Sequence, residues 1–285
     1  MDEIQQQKRI SKPELRRLSD QMDSHKKEIL DTIYRVKFIT ANQLQRIFFT
    51  KNEKRASNLR ACNRMVNKLK SHGLVDHLEQ RIGGKQSGSG SKIWTITSAG
   101  YNLLRLENQH LLVTRKRFYE PYPMFLEHSL AVSEIYTLLK ELHRQKKIEL
   151  LTIQNEPKCW RNFSDRGISF YVKPDLFASL IPAHENEYEL SFYFELDRAT
   201  EAPIRVIKKC KQYIAYYNSG IEQRLNGVFP YVIWITVNKK RQEQLIRYIQ
   251  ENLPKAVELF QVITIEEFES LICGEPSKED VKNDL

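Results

Sequence analysis

The chain reads VKPDLF at residues 172–177 and FYFELD at residues 192–197. Each segment has the apolar character of a buried strand and carries acidic residues, Asp175 in the first and Glu195 and Asp197 in the second. Neighbouring strands of one sheet can hold carboxylates within a few ångströms of one cation, and hard divalent cations take oxygen ligands. We therefore predict that Asp175, Glu195 and Asp197 meet at one edge of a sheet and bind Mg²⁺ or Mn²⁺.

The geometry of a strand fixes the side on which these carboxylates lie. Residues 195 and 197 point to the same face, and Asp175 ends the neighbouring strand. Three carboxylates at close range repel one another, so a cation or a neighbouring lysine must offset their charge. Other interpretations are that Asp175 forms a turn and that Asp197 pairs with Arg198 at the surface. Glu195 is harder to explain otherwise, because a carboxylate in an apolar strand needs a partner.

Charge is divided unevenly along the 285 residues, which carry a net charge of +9. Residues 1–120 contain 24 Lys and Arg against 12 Asp and Glu, whereas residues 121–285 contain 21 against 24. The basic half is expected to bind a polyanion, because neutralisation of phosphates dominates affinity for nucleic acids. A membrane surface or an acidic protein would also fit the charge alone. The length is sufficient for two domains.

The cysteines and the N-terminus indicate the cellular compartment. The cysteines are Cys62, Cys159, Cys210 and Cys273. They are far apart and lack the spacing of zinc ligands, so we expect free thiols in a reducing cytoplasm. Residues 1–8 carry no apolar signal core, and the longest apolar run is too short to span a membrane. A cytoplasmic protein without a membrane partner is expected.

The basic half shows the periodicity of short helices after a loose arm at residues 1–22. Ser24 is expected to cap a first helix and Thr40 a second. A third helix is expected to begin between residues 52 and 57 and to end at Gly73, since glycine suits the left-handed position after a helix. Its apolar residues recur at helical spacing: Leu59, Cys62, Val66 and Leu69.

The other face of this third helix is polar and basic, as in helices that enter the major groove of DNA. Its residues are Arg60, Arg64 and Asn67, with Lys68 and Lys70 beside them. A hairpin follows at residues 74–97, with a Gly/Ser-rich tip and the basic residues Arg81, Lys85 and Lys92. Ser98 is expected to cap a closing helix. The pattern predicts a winged helix-turn-helix at residues 23–107 that binds double-stranded DNA. The alternatives are a solvated helix surface and a protein-docking module.

A linker at residues 108–123, with basic and proline-containing stretches, marks a domain boundary. Residues 124–273 then read as a helix, three strands, a helix, a strand, a helix, a strand and a short helix. The strands are expected at residues 150–153, 170–180, 189–196, 231–237 and 260–264. This order predicts an α+β or α/β domain with a mixed sheet flanked by helices. Residues 274–285 are polar and are expected to be a disordered tail.

The order of the acidic strands resembles the PD-(D/E)xK nuclease superfamily, whose fold is that of restriction endonucleases. In active members the carboxylates hold Mg²⁺, and a lysine two residues after the second acid orients or activates water. Asp175 matches the first acid and Glu195 the second, while Asp197 replaces the lysine. The next helix offers Lys208, Lys209 and Lys211. Of these, we take Lys209 as the candidate catalytic lysine.

Residues 25–240 together resemble the replication-relaxation family of plasmids and other mobile elements. The resemblance rests on the basic N-terminal half, on Pro174-Asp175, on FELDRAT at residues 194–200, and on Lys209 and Tyr213. It implies a bacterial DNA-binding accessory protein of plasmid replication or conjugative DNA relaxation. A relaxase or a replication protein would be its partner, and a homodimer is left open. The resemblance does not imply that such domains cut DNA.

Two other functions fit the same residues. A metal-dependent DNA endonuclease would use Asp175, Glu195 and Asp197 as ligands and Lys209 to handle the proton. A winged-helix transcription regulator would use its second domain to bind a partner or to dimerise. The carboxylate cluster favours the endonuclease, whereas the absence of a lysine at position 197 favours a binding domain.

Overall fold

The computed structural model describes residues 10–82, 91–108, 121–165, 167–184, 188–199 and 202–274. These residues form two compact units, with the boundary between Thr137 and Leu138. The protein is mixed α/β. In the part of the chain that the structure describes, no helix has the length and apolar character needed to cross a membrane.

The first unit contains helices followed by a strand pair and further helices. In chain order its elements are α1 (Lys12–Gln21), α2 (Ser24–Val36), β1 (Ile39–Thr40), α3 (Ala41–Phe48), α4 (Arg55–Ser71), β2 (Val75–Ile82), β3 (Ser91–Ile96), α5 (Ser98–Glu107) and the first part of α6 (Pro123–Arg144). The strands form an antiparallel sheet in the order β1-β3-β2.

The caps of these helices agree in part with the predictions. Thr40 caps α3 in a capping box with Gln43, as predicted. The caps of α2 and α5 are each one residue earlier than predicted. Asp23 accepts from the backbone N–H of Lys26 at 2.8 Å, and Thr97 accepts from Gly100 at 3.1 Å. Ser24 and Ser98 are therefore the first residues of their helices, because the preceding side chain already satisfies a free N–H of the first turn.

Helix α1 lies where a loose arm was predicted. Ser11 caps it, with its hydroxyl accepting from the Glu14 backbone N–H at 3.4 Å. Leu15 is buried, and the Ser19 hydroxyl donates to the carboxylate of Glu107 in α5. The arm prediction is wrong for Lys12–Gln21 because one leucine and one serine on the same face suffice to hold this polar helix against α5. Residues 1–9 of the predicted arm lie outside the described residues.

The first part of α6 completes the core of the first unit. Leu126 and Leu130 pack with Phe38, Leu78 and Ile93 in one buried cluster. A hydrogen bond joins the same surfaces: the Ser133 hydroxyl donates to the Phe38 carbonyl at 2.6 Å. The prediction assigned all of α6 to the second domain, and the sequence did not indicate this packing. Residues 109–120 of the predicted linker lie outside the described residues.

The second unit is built on a five-stranded sheet. Its elements after α6 are β4 (Ile148–Asn155), β5 (Arg161–Asp165), β6 (Ile168–Val172), β7 (Leu176–Pro182), β8 (Leu190–Asp197), α7 (Pro203–Ser219), α8 (Ile221–Asn226), β9 (Tyr231–Thr236), α9 (Lys239–Asn252), β10 (Phe260–Thr264) and α10 (Phe268–Cys273), with short 3₁₀ turns at Val257–Leu259 and Ile265–Glu267. The strand order is β10-β9-β8-β7-β4, and β5 pairs with β6 in a separate hairpin.

The central strand β8 joins the antiparallel and parallel halves of this sheet. It pairs antiparallel with β7 and parallel with β9. Helices α7 and α9 contribute Val206, Cys210, Leu245 and Ile249 to a buried cluster that also contains Tyr193 of β8. The predicted mixed sheet flanked by helices is confirmed. All four cysteines are buried and free.

The predicted strand at residues 170–180 is two strands in the structure. β6 ends at Val172 and β7 begins at Leu176, and the two belong to different sheets. Pro174 lies between them, and it has no N–H with which to continue a ladder. The segment around Trp160, expected to be irregular, leads into β5, which pairs with β6 from Arg161 opposite Val172 onwards.

Candidate functional site

Asp175 and Glu195 lie next to each other at the start of β7. Leu176 pairs with Phe194 across the ladder, which places the preceding Asp175 beside Glu195. The Asp175 backbone N–H donates to the Phe194 carbonyl at 3.1 Å. Its carboxylate accepts from the Leu196 backbone N–H at 2.8 Å through Oδ2. The backbone of β8 therefore fixes the position of Asp175.

Glu195 is completely buried and has donors on both of its oxygens. Lys209 donates to Oε2, and the Tyr213 hydroxyl donates to Oε1 at 2.5 Å. Lys209 and Tyr213 are four residues apart on α7, so they lie on the same face of that helix. The lysine of α7 that contacts Glu195 is thus Lys209. The other two candidate lysines of α7, Lys208 and Lys211, are exposed.

Burial dominates the acid-base behaviour of Glu195. The pKa of Glu195 is raised to about 8 as the net result of burial, which raises it most, of the charge of Asp175, which also raises it, and of Lys209 and Tyr213, which lower it. Burial and the nearby Glu195 carboxylate also raise the pKa of Tyr213 well above its ordinary value. The phenol is therefore held as a hydrogen-bond donor. The arrangement can hold a proton near Glu195 at neutral pH.

Asp197 has a different partner from the other two acids. Arg241 of α9 donates to it in a bidentate pair, Nε to Oδ1 at 3.0 Å and Nη2 to Oδ2 at 2.8 Å. The Ala199 backbone N–H also donates to Oδ1, at 2.6 Å. Both side chains of this pair are buried, at 7% and 1% exposure. Asp197 thus pairs with a buried arginine of α9, whereas the surface interpretation paired it with Arg198.

The arrangement of these donors does not fit a divalent cation. Both oxygens of Glu195 and both oxygens of Asp197 already accept from charged or hydroxyl donors. In the described ranges, no group of three or more His, Cys, Asp or Glu side chains is placed to hold a metal ion. The geometry therefore does not support Asp197 as a metal ligand, because its charge is offset by Arg241. Binding of Mg²⁺ or Mn²⁺ at Asp175 and Glu195 stays a prediction.

The predicted DNA-binding face lies on α4. Its buried side consists of Asn58, Cys62, Val66 and Leu69. Its opposite side exposes Arg60, Arg64, Asn67 and Lys68 to solvent. These four residues therefore form one exposed polar surface, which we call the α4 basic face. Amphipathic spacing alone was sufficient to predict it.

The remaining predicted DNA-binding residues that the structure describes are Lys70 in the last turn of α4, Arg81 in β2 and Lys92 in β3. Lys70 pairs with Asp76 at 2.7 Å and hydrogen-bonds His77 Nδ1 at 2.8 Å. Lys92 Nζ lies 5.8 Å from the centroid of the Trp94 ring. The backbone of Arg81 pairs with that of Lys92. The side chain of Arg81 and all of Lys85 lie outside the described residues.

Arg241 is the residue of this site that sequence reasoning missed. It follows Asp197 by 44 residues, and the two meet only because α9 packs beside the strand that carries Asp197. No local spacing signals such a contact. Tyr213 carried a usable signal, since it is one helical turn from Lys209. Tyr213 is fully buried.

Comparison with known proteins gives one match. The family model described as replication-relaxation matches residues 30–232. The matched stretch includes the α4 basic face, Asp175, Glu195 and Lys209, and it ends before Arg241. No curated protein and no solved structure matches this chain.

Proposed function

Because this chain belongs to the replication-relaxation family, we propose that it is a DNA-binding accessory protein of plasmid or mobile-element replication or of conjugative DNA relaxation. Family membership connects the chain with the replication of plasmids and mobile elements. The finer role as a DNA-binding accessory protein rests on the chemistry of the first unit.

The observation that carries this proposal is the α4 basic face. Arg60, Arg64, Asn67 and Lys68 are exposed together on one side of a helix whose other side is buried. Arginine and asparagine can donate in pairs to base edges, and lysine to phosphates. The order α3, α4, β2, β3 supports a winged helix-turn-helix in which α4 is the recognition helix and β2 and β3 form the wing. Double-stranded DNA is the proposed ligand.

The second unit is proposed to bind a partner. Asp175, Glu195 and Lys209 form a compact polar cluster at a mixed sheet flanked by helices, as the nuclease resemblance predicted. We propose that this unit contacts a relaxase or a replication protein, or forms a homodimer. A cytoplasmic location fits such partners.

The test is binding of the full chain to duplex DNA at several salt concentrations. We expect affinity that falls steeply as salt rises, because phosphate contacts release counterions. Arg60→Ala and Arg64→Ala should each weaken binding by about 1–3 kcal/mol if these residues contact bases. Arg247→Ala removes an arginine of α9 that is also exposed, and it should leave binding unchanged.

Two results would contradict the proposal. One is the absence of duplex binding at low salt, and the other is equal weakening by Arg247→Ala and Arg60→Ala. An experiment in cells distinguishes a transcription regulator from an accessory protein of replication. If the protein is a transcription regulator, deletion of its gene should alter promoter activity and leave plasmid replication intact. If it is an accessory protein of replication, the deletion should impair replication and leave promoter activity unchanged.

A metal-dependent endonuclease is the second candidate, favoured by the contact between Lys209 and Glu195. Since the donors as arranged do not fit a divalent cation, we expect weak binding of Mn²⁺ by calorimetry. We also expect little or no nicking of supercoiled plasmid in Mg²⁺ or Mn²⁺. The control is Asp175→Ala, which removes one carboxylate of the cluster. Brisk nicking by the parent protein that is lost in Asp175→Ala would overturn the accessory role in favour of the nuclease.

A further inference from the structure

We propose that the outer face of the β5–β6 hairpin binds single-stranded DNA and places it beside Asp175 and Glu195. This inference rests on the proposed function, since it names a second DNA species that the accessory protein would handle. It concerns a surface of the second unit that contains none of the residues of the α4 basic face.

Two exposed aromatic rings and one lysine form the centre of this surface. Trp160 is 37% exposed and Tyr171 is 49% exposed. The ammonium group of Lys173 lies 4.7 Å from the Trp160 ring centroid and 5.5 Å from that of Tyr171. Among the described residues, no carboxylate forms an ion pair with Lys173. Its charge is thus available to a phosphate group.

The two faces of the hairpin differ in chemistry. Phe163, Phe170 and Val172 face inward and belong to or pack against the buried cluster that includes α7. The exposed residues of the outer face are neutral hydrogen-bonding side chains beside the aromatic rings: Asn162, Ser164 and Ser169. Asn162 lies directly opposite Tyr171 across the ladder. The described side chains of the outer face therefore include aromatic, neutral polar and basic groups and no acid.

Hydrogen bonds order the backbone around Trp160 before any ligand binds. Arg161 donates through Nη1 to the carbonyl oxygen of Cys159 at 2.9 Å and to that of Trp160 at 3.4 Å. The Cys159 thiol donates to the Pro174 carbonyl at 3.0 Å, which ties the Trp160 loop to the segment that carries Lys173 and Asp175. A surface that is already ordered loses less conformational freedom on binding.

Single-stranded DNA fits this surface better than duplex DNA. Stacking on Trp160 and Tyr171 needs the flat faces of bases, which are covered in a duplex and accessible in a single strand. Lys173 can move from the rings to a phosphate of the same strand. Asp175 follows two residues after Lys173, so a strand stacked on the hairpin would pass close to the buried carboxylates.

The test uses the full chain and the fluorescence of Trp160. The other two tryptophans, Trp94 and Trp234, are buried at 0% and 3% exposure, so an added ligand should mainly affect Trp160. Titration with oligothymidylate of about 12 nucleotides, within the range of known site sizes, should give saturable quenching. Trp160→Phe should abolish most of the signal change. Tyr171→Ala should weaken binding of a labelled oligothymidylate at least tenfold by anisotropy.

The matched control is Tyr188→Ala, which removes a tyrosine of the second unit that is 65% exposed and lies outside the hairpin. It should leave affinity unchanged, and circular dichroism should show that every variant is folded. Equal affinity of the parent protein, Tyr171→Ala and Trp160→Phe would overturn the inference, as would absence of quenching. If Tyr171→Ala is unfolded, Lys173→Ala takes its place, with weaker binding expected and unchanged binding contradicting the inference.

Duplex binding separates this inference from the proposed function. If the chain binds duplex DNA through Arg60 and Arg64 but does not bind oligothymidylate, only the inference fails. If it binds neither, the proposed function fails as well. Loss of oligothymidylate binding in Arg60→Ala, with no effect of Tyr171→Ala, would move the single-strand site to the α4 basic face and overturn the inference.

Discussion

Glu195 is a buried carboxylate that has a lysine and a phenol as its donors. Its position in an apolar strand was enough to predict that it needs a partner. The next helix offered three lysines, and the sequence did not determine which of them faces Glu195. The partner of Asp197 could not be predicted, because Arg241 comes from a distant helix. Sequence spacing reports contacts within a helix or strand, whereas the Asp197–Arg241 pair depends on how helices pack on the sheet.

The raised pKa of Glu195 predicts a specific dependence of stability on pH. The folded-state pKa of about 8 lies above the ordinary value of 4.5. Between these values the folded protein holds a proton that the unfolded chain releases. The free energy of unfolding should therefore fall as pH rises from about 5 to about 8, by on the order of 2–4 kcal/mol.

Urea unfolding at a series of pH values measures this effect. Glu195→Gln cannot titrate, so its stability should change less across the same window. The difference between parent and variant curves isolates Glu195 from other titrating groups. Parallel curves for the two proteins would contradict the prediction.

The buried pair of Asp197 and Arg241 predicts a large loss of stability when one partner is removed. Arg241→Ala would leave the Asp197 carboxylate buried without its cation, at a cost of about 3–5 kcal/mol. Replacing both residues, as in Asp197→Leu with Arg241→Met, should recover most of this loss. Denaturant unfolding gives the values, and Arg247→Ala on the same helix should change stability by less than about 0.5 kcal/mol. A small effect of Arg241→Ala would show that Asp197 is solvated.

At the scale of elements, the close approach of α5 to the end of α4 depends on one glycine. A Cβ atom placed at Gly100 would lie 2.1 Å from the Leu74 carbonyl oxygen and 2.9 Å from a side-chain atom of Ile96. The backbone carbonyl cannot rotate away, since it accepts from the Thr97 hydroxyl at 3.0 Å and from the Thr97 backbone N–H at 3.1 Å.

Gly100→Ala should therefore destabilise the first unit by about 1–3 kcal/mol, the range found for overpacking. The measurement is thermal unfolding of the full chain. Gly227→Ala serves as a comparison: its added Cβ meets no atom within 4 Å, so only the strain of its left-handed backbone, at φ +80°, should lower stability. Equal stability of Gly100→Ala and the parent would show that α5 can shift without loss.

The elements that sequence predicted best are those with strong periodicity. The strand predicted at residues 260–264 matches β10, and the helix predicted after the strand at residues 189–196 corresponds to α7. The division of residues 170–180 into β6 and β7 was missed because both pieces are apolar, so only Pro174 marked the interruption. Helix α1 was missed because its tertiary contacts, rather than its own hydrophobicity, hold it in place.

For the whole molecule, charge was the informative property of the sequence. The excess of Lys and Arg in residues 1–120 predicted that this half of the chain binds a polyanion. In the structure, four of the predicted residues on α4 are exposed. The sequence predicted the mixed sheet from the order of helices and strands. The positions of Trp160 and Tyr171 on the outer face of a hairpin could not be predicted, because the hairpin itself was not recognised.

The first part of α6 packs in the core of the first unit, and this restricts where recombination can separate the two domains. A recombination event within residues 108–123 would transfer an N-terminal half that lacks Leu126 and Leu130. Phe38, Leu78 and Ile93 would then face water in the recipient protein. An exchange keeps this cluster closed only if it carries the chain at least through Leu130, and the first unit extends further, to Thr137. The segment that must be exchanged as a whole is thus longer than the predicted linker at residues 108–123 suggests. Relatives that acquire a new second domain should retain the beginning of α6.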